Sequence, residues 1–313
     1  MADLRVISLA LLTAVALPTV AAELPTGVIA VPLTRDYGLT AYYAELQVGT
    51  PPQNTYLKID TGSPNFSFLD PRNQCTDKGP VLLPQLKNAS IIDRMSTSIY
   101  LGRDDSEVPN AQMLIGGAYD KAKVEGEMFT VDMVDPHDLQ LANGQTNSVN
   151  VTAIEVVLDG GNRTAETYGE KDVGSPVLLD TGIAAWYMTE TIFAAVYHGL
   201  GGQGDVPGGT RYVPVDCVYR DSDHTKSYVS VEFGTAGTVK IPLSSLVSEF
   251  SDGTCGSFIA ARGDVLSSMG DPFLRGVYSI FDQENWTITM GQVKHAEEED
   301  IVQIPEGGFK ALR

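Results

Sequence analysis

The stretch Leu57-Lys58-Ile59-Asp60-Thr61-Gly62-Ser63 returns later in the chain as Val177-Leu178-Leu179-Asp180-Thr181-Gly182-Ile183. Each copy is an apolar run that reads as a buried strand, closed by an Asp and a Gly that read as a turn. A carboxylate at the end of a buried strand is costly to desolvate unless something uses it. A single Asp-Thr-Gly would be an ordinary turn, because Asp and Gly are common turn residues. Two copies with the same central Thr, each behind an apolar run, point to a chain that makes one unit twice and uses the two carboxylates as a pair.

Two carboxylates held close together cannot both ionise cheaply, so they share a proton. One can then act as base toward a water molecule while the other acts as acid toward a substrate carbonyl. The two pKa values belong to the pair and not to either residue. Gly62 and Gly182 let the backbone turn tightly, and the hydroxyls of Thr61 and Thr181 can bond from one loop to the other. With Asp60 and Asp180 as the catalytic pair, and Thr61, Gly62, Ser63, Thr181, Gly182 and Ile183 as their loops, the constellation predicts peptide hydrolysis at acid pH. It needs no metal, no cofactor and no covalent intermediate.

Other chemistries fit less well. His137, His198, His224 and His295 show no metal-ligand spacing and read as surface or satisfied residues. No Gly-x-Ser-x-Gly elbow is present. Met113-Leu114-Ile115-Gly116-Gly117 reads as a strand entering a turn, since it lacks the Lys-Ser/Thr ending of a phosphate loop.

The chain's 313 residues suffice for a sizeable core and two lobes, and 43% hydrophobic against 19% charged residues is a globular composition. The net charge of −19 argues against nucleic acid or an anionic membrane as partner, since phosphate binding needs a basic surface. It suits solubility, or service in an acidic medium where protonation relieves self-repulsion. Residues 1–22 read as a secretory signal, with Arg5 at the positive start, Val6 to Leu17 as the apolar stretch and Ala21-Ala22 at its end. No other segment is apolar enough to span a bilayer. A secreted, soluble protein, acting as a monomer on a peptide or protein substrate, is expected.

Secretion permits glycosylation, and sequons stand at Asn65, Asn88, Asn150, Asn162 and Asn285. Asn65 lies so close to Asp60 that burial is expected of it instead. Of the three cysteines, Cys75, Cys217 and Cys255, the last two could close a loop, which would stabilise the fold by roughly 4 kcal/mol in the chain-entropy model. An odd cysteine remains.

Along the chain, Tyr42–Val48 alternates in hydrophobicity, Gly49-Thr50-Pro51-Pro52 makes a turn, and Thr55, Leu57 and Ile59 form a second alternating face. This predicts a hairpin that delivers Asp60 to its end. A short apolar piece spans Val81–Leu86, and strands are expected near Ile99–Leu101, at Glu127–Val134 and over Val151–Leu158. Thr189 is expected to cap a helix carrying Ile192, Phe193, Val196 and Leu200 on one side. Pro242–Phe250 suggests a short helix, and Tyr278–Phe281 with Trp286–Thr289 a closing hairpin. Glu297 to Asp300 reads as a solvated charge run.

These pieces together resemble the pepsin-like family of aspartic endopeptidases, in its secreted fungal or yapsin-like branch. The resemblance rests on Tyr42-Tyr43-Ala44 through Val48-Gly49-Thr50-Pro51-Pro52-Gln53, on Asp60-Thr61-Gly62-Ser63, and on Asp180-Thr181-Gly182. It extends to Gly270-Asp271-Pro272-Phe273-Leu274-Arg275 with Tyr278 and Phe281-Asp282, and to Ile304-Pro305-Glu306-Gly307-Gly308. It implies a mainly β, bilobal fold with a substrate cleft between two β-rich lobes, Asp60 and Asp180 as the catalytic pair, and a Cys217–Cys255 disulfide in the second lobe.

The chain also departs from that family. With the lobes at 23–135 and 136–313, the first is markedly the shorter and reads as incomplete, and the gap falls between Cys75 and Leu83. The flap hairpin with its Tyr-Gly pair and the apolar-Gly segment behind the first catalytic loop are both missing from the sequence there. The same gap accounts for the unpartnered Cys75. Ile183 stands where the family usually has Ser or Thr, so Asp180 lacks a bond that Ser63 could give Asp60, which should favour protonated Asp180. The alternatives to an active endopeptidase are a pepsin-like binding protein without turnover and the product of a mis-spliced transcript of an active gene.

Overall fold

The alternation over residues 42–59 is expressed as the expected hairpin. Strand β1 (Ile29–Asp36) pairs antiparallel with β2 (Ala41–Val48), which pairs with β3 (Gln53–Lys58). Tyr42, Ala44, Leu57 and Ile59 are buried, whereas Glu45 and Tyr56 face water. The register Ala44↔Leu57 places the apolar residues of both strands on one face, so that Asp60 follows directly from a core strand. The computed structural model describes residues 23–36, 41–48, 50–63, 82–103, 111–135, 147–169, 174–203, 212–220, 226–250, 252–263 and 267–309. The expected signal, Asn65, Cys75, His137, His224 and the Cys75–Leu83 stretch up to Val81 lie outside the described residues.

The hairpin belongs to an eight-stranded sheet ordered β3, β2, β1, Ala111–Ile115, Ser96–Tyr100, Val277–Asp282, Thr287–Val293, Val124–Asp132. The predicted closing hairpin forms, and it is inserted between two strands of the first half, Ser96–Tyr100 and Val124–Asp132. Val277–Asp282 is buried along its whole length, as a central strand must be. The stretches 23–135 and 136–313 therefore share one continuous sheet.

A second sheet, ordered Ile259–Ala261, Trp186–Met188, Ser268–Met269, Ser175–Leu179, Ser148–Val151, positions the other Asp-Thr-Gly. Ser175–Leu179 lies parallel to Ser268–Met269 and antiparallel to Ser148–Val151, so it is flanked on both sides before it reaches Asp180. Helix α1 (Leu82–Asn88) accounts for the short apolar piece, with Leu83 and Leu86 turned inward. Helix α2 (Glu190–Gly199) starts where expected, the Thr189 hydroxyl accepting a bond from the Ile192 amide, and buries Ile192, Phe193 and Val196.

Two local expectations are corrected. Val151–Leu158 is not one strand: the chain breaks at Thr152, because Ser148–Val151 pairs with Ser175–Leu179 while Ala153–Val157 crosses to a different sheet. Pro242–Phe250 yields only a 3-10 turn at Leu243–Leu246. It then extends as Val247–Glu249, because pairing with Cys255–Ser257 satisfies its backbone better than another helical turn would. Cys217 and Cys255 are joined in a disulfide, which ties the strand Cys255–Ser257 to the 3-10 turn at Cys217–Arg220. Glu297 to Asp300 are exposed. No helix among the described residues is long and apolar enough to cross a membrane.

Candidate active site

The two Asp-Thr-Gly loops meet. In each, the amide three residues after the Asp donates to its carbonyl, Ser63 to Asp60 and Ile183 to Asp180, both at 3.3 Å, so the copies make the same turn. The threonines then cross over. The Thr61 amide donates to Thr181 Oγ1 at 3.1 Å and the Thr181 amide to Thr61 Oγ1 at 3.0 Å. Each hydroxyl passes its own hydrogen deeper, Thr61 to the Leu179 carbonyl at 2.7 Å and Thr181 to the Ile59 carbonyl at 2.8 Å. Four bonds with local two-fold symmetry lock the ends of two strands that come from different sheets.

Thr181 is fully buried, so a Thr181→Val variant keeps the shape but orphans the Thr61 amide and the Ile59 carbonyl. It is expected to lose about 2 kcal/mol in urea unfolding. An unchanged midpoint would show that the crossed bonds do not hold the loops.

This lock brings the carboxyls together. Asp180 Oδ1 accepts from the Gly182 amide at 2.7 Å and from the Gly62 amide at 3.2 Å, while Asp60 Oδ1 accepts from Gly62 and Ser63, each at 3.1 Å. The Gly62 N–H is thus shared between both carboxyls, which brings the two side chains together. The glycines are required by this closeness. A Cβ on Gly62 would stand 2.2 Å from Asp180 Oδ2, and one on Gly182 would stand 2.4 Å from Asp60 Cγ.

Asp180 is buried, and its pKa is pushed up to about 6, first by loss of water and then by the charge of Asp60; its bonds from Gly182 and Gly62 act in the opposite direction. The protonated Asp180 expected from Ile183 is thus favoured, but for a different reason. Position 63 serves the Asp60 carboxyl through its backbone amide, and the largest cause of the Asp180 shift is burial.

Several supporting residues carried no role in the sequence reading. Asn147 donates from Nδ2 to the Thr61 carbonyl at 2.7 Å, holding the first loop from the far side. The second loop is backed by its own half, since the Asp180 amide donates to the Met269 carbonyl and the Asp271 amide to the Ile183 carbonyl. Among the described residues the first loop has no such backing strand. Beneath both loops lies a buried ionic cluster. Asp271 Oδ2 is 2.8 Å from the Arg35 guanidinium and 3.3 Å from Arg275 Nε, and Asp271 Oδ1 accepts from the Tyr42 hydroxyl at 2.7 Å. Burial and the Asp271 charge push the Tyr42 hydroxyl well above its ordinary pKa, so it stays a donor. Asp271, Arg275 and Tyr42 lie in the motifs quoted above; Arg35 had no signal of its own.

The remaining candidates are dispersed. Asn88 and Asn162 are exposed, at the end of α1 and in the turn before Arg163–Thr167. Asn150 is half-buried within a paired strand, opposite Pro176. Both hydrogens of the Asn285 amide are engaged, one by Asp282 Oδ2 and one by the Gly307 carbonyl, each at 2.9 Å, so glycosylation there would have to break a structural bond. His295 bonds the Tyr100 hydroxyl at 2.9 Å, and burial lowers its pKa to about 4. It is a satisfied interior residue far from metal chemistry.

Comparison with known proteins places these features in context. The family model for eukaryotic aspartyl protease matches residues 41–79 and 68–293, the two segments meeting beside the stretch that reads as shortened. The chain is 31% identical over 227 residues to secreted aspartic protease 9 of Candida albicans, covering 72% of this chain and 39% of that protein. It is 26% identical over 246 residues to aspartic proteinase yapsin-3 of Saccharomyces cerevisiae, covering 78% and 45%. The chain thus spans less than half the length of these relatives. The crystal structure of aspartic proteinase from Irpex lacteus superposes with a TM-score of 0.61 at 14% identity, over 86% of this chain and 98% of that one. This likeness shows the fold, which is mainly β and bilobal like that of pepsin-like acid proteases.

Proposed function

The chain belongs to the eukaryotic aspartyl protease family, and on that premise we propose that it is a secreted aspartic endopeptidase in which Asp60 and Asp180 hydrolyse peptide bonds at acid pH. The observation that carries the reading is the pairing itself: two carboxyls sharing the Gly62 amide, one of them buried, held by symmetric threonine bonds. Asp60, the more exposed of the two, takes a proton from the attacking water. Asp180, kept neutral by burial, gives its proton to the carbonyl oxygen as the tetrahedral carbon forms. Protonation alternates between them as the intermediate collapses and the amine leaves, so no covalent enzyme species is needed.

The secretory pattern of residues 1–22 and the secreted relatives support an extracellular location. The substrate is a peptide or protein, cut beside bulky apolar residues, and the enzyme acts as a monomer with 23–135 and 136–313 as its lobes. Neither a metal nor another cofactor takes part.

The pH dependence follows from Asp180. Its pKa is raised from an ordinary 3.8 to about 6, so the neutral acid is populated below that value and lost above it. The value of kcat/KM on a peptide with apolar residues beside the scissile bond is therefore expected to fall as pH rises through about 6. The folded state also binds this proton more tightly than the unfolded one. The associated stability is fully present below about 4 and is lost as pH rises through about 6. Activity that still increases above pH 7 would remove Asp180 as the acid. The shortened Cys75–Leu83 stretch favours one second reading, a binding protein that holds peptides without cutting them, since a lid would normally exclude water from such a site.

A further inference from the structure

The crossed threonine bonds match between the two loops, but the residue two places before each Asp does not. Two residues before Asp180 stands Leu178; two residues before Asp60 stands Lys58. Lys58 lies at the end of β3, and its side chain turns across to the opposite loop. Its Nζ donates to the Gly182 carbonyl at 2.9 Å and lies 3.8 Å from Asp60 Oδ2. Gly182 is the residue whose amide serves Asp180 Oδ1. One ammonium therefore touches the carboxyl of the first loop and the backbone of the second, and no counterpart exists at Leu178.

We propose that Lys58 is a positioning residue of the dyad, fixing Asp60 against the second loop and assigning the shared proton to Asp180. The inference rests on reading the pair as a catalytic dyad. The charged and titratable groups that face the Asp60 carboxyl among the described residues are Lys58, from its own strand, and Asp180, from the opposite loop. The remaining donors to it are the Gly62 and Ser63 amides. A cation held beside Asp60 leaves the buried Asp180, whose own pKa is raised by burial and by the Asp60 charge, as the place for the shared proton. An ordinary surface pair would contribute little. This one differs because the side chains of Lys58 and Asp60 are only 30% and 29% exposed and the ammonium is anchored across the loops.

The test uses the full chain as wild type, Lys58→Met, which removes the charge at similar length, and Lys58→Arg, which keeps it. Carboxyl carbons of Asp60 and Asp180 are titrated by 13C NMR, assigned with Asp60→Asn and Asp180→Asn, alongside kcat/KM as a function of pH. In Lys58→Met the acid-side midpoint of the pair is expected to move up by about one pH unit, and the acid limb of kcat/KM with it. Lys58→Arg should titrate like the wild type. A Lys58→Met midpoint equal to wild type, or a Lys58→Arg shift as large as that of Lys58→Met, overturns the inference. The NMR arm needs no turnover, so the two readings fail separately. A shifted midpoint in a chain that cuts nothing supports the lysine's role and overturns the peptidase, and turnover with an unmoved midpoint does the opposite.

Discussion

Asp180→Asn is expected to reduce kcat by about 10³-fold or more, because it removes the one proton donor the mechanism has. Asparagine fits the site, and its side-chain oxygen can still accept from the Gly182 and Gly62 amides that hold Asp180 Oδ1. It cannot give a proton to a carbonyl oxygen or recover one from Asp60. The loss should therefore fall on kcat, with KM little changed. Stability provides an independent check. At neutral pH the wild type carries Asp180 in a buried place that disfavours its charge, so the variant should melt no lower than the wild type. An inactive variant that is also unfolded would say nothing about chemistry, whereas an inactive and well-folded one isolates the proton. Full hydrolysis of an acid-denatured protein by folded Asp180→Asn would refute the assignment.

Asp271→Asn should have the largest effect on stability. The carboxylate is fully buried between Arg35 and Arg275, which are themselves 4% and 3% exposed, and it accepts from the Tyr42 hydroxyl. Removing the charge takes the counter-ion away from two buried guanidinium groups, and breaking a buried pair in this way costs about 3–5 kcal/mol. A fall in Tm of roughly 10 °C is the expected reading. The residue also links the fold to the site. Arg35 and Tyr42 come from β1 and β2, which lead to the Asp60 hairpin, while the Asp271 amide bonds the Ile183 carbonyl in the second loop. Activity per folded molecule should therefore decline as well. A Tm within about 2 °C of wild type would show that the cluster is not what holds the two halves together.

Local features were legible in the sequence and long-range ones were not. The β2–β3 hairpin, α2 with its Thr189 cap and the 277–293 hairpin follow from periodicity and capping, which neighbouring residues decide among themselves. The place of that last hairpin does not. Nothing in Tyr278–Phe281 states that it pairs with Ser96–Tyr100, because alternation records which face is buried and not which strand lies alongside. Thr152 illustrates the same limit: one run of β-branched residues serves two sheets, and the break between them is set by partners far away.

At the site, the repeat of Asp-Thr-Gly pointed to Asp60 and Asp180 as a pair, and the two loops do meet. The groups that distinguish the two were hidden. Asn147 and Arg35 reach the site from distant segments and have no motif. Lys58 sat within the repeat, yet its polar side chain at the end of an alternating strand looks like any solvent-facing residue until the second loop is seen beside it. The preference for neutral Asp180 was expected from Ile183, but its cause is burial, a property of the packed loops that no single substitution reveals.

The paired aspartates are expected to cut peptide bonds even though the sequence between Cys75 and Leu83 reads as shortened. Incubating the purified full chain with an acid-denatured protein across pH 2–7, with and without a pepstatin-type statine peptide, tests it directly. New peptide termini, identified by mass spectrometry below pH 6 and suppressed by one equivalent of the statine peptide, are the predicted result. Tight binding of that peptide with no new termini at any pH would contradict the account and leave a peptide-binding protein in its place.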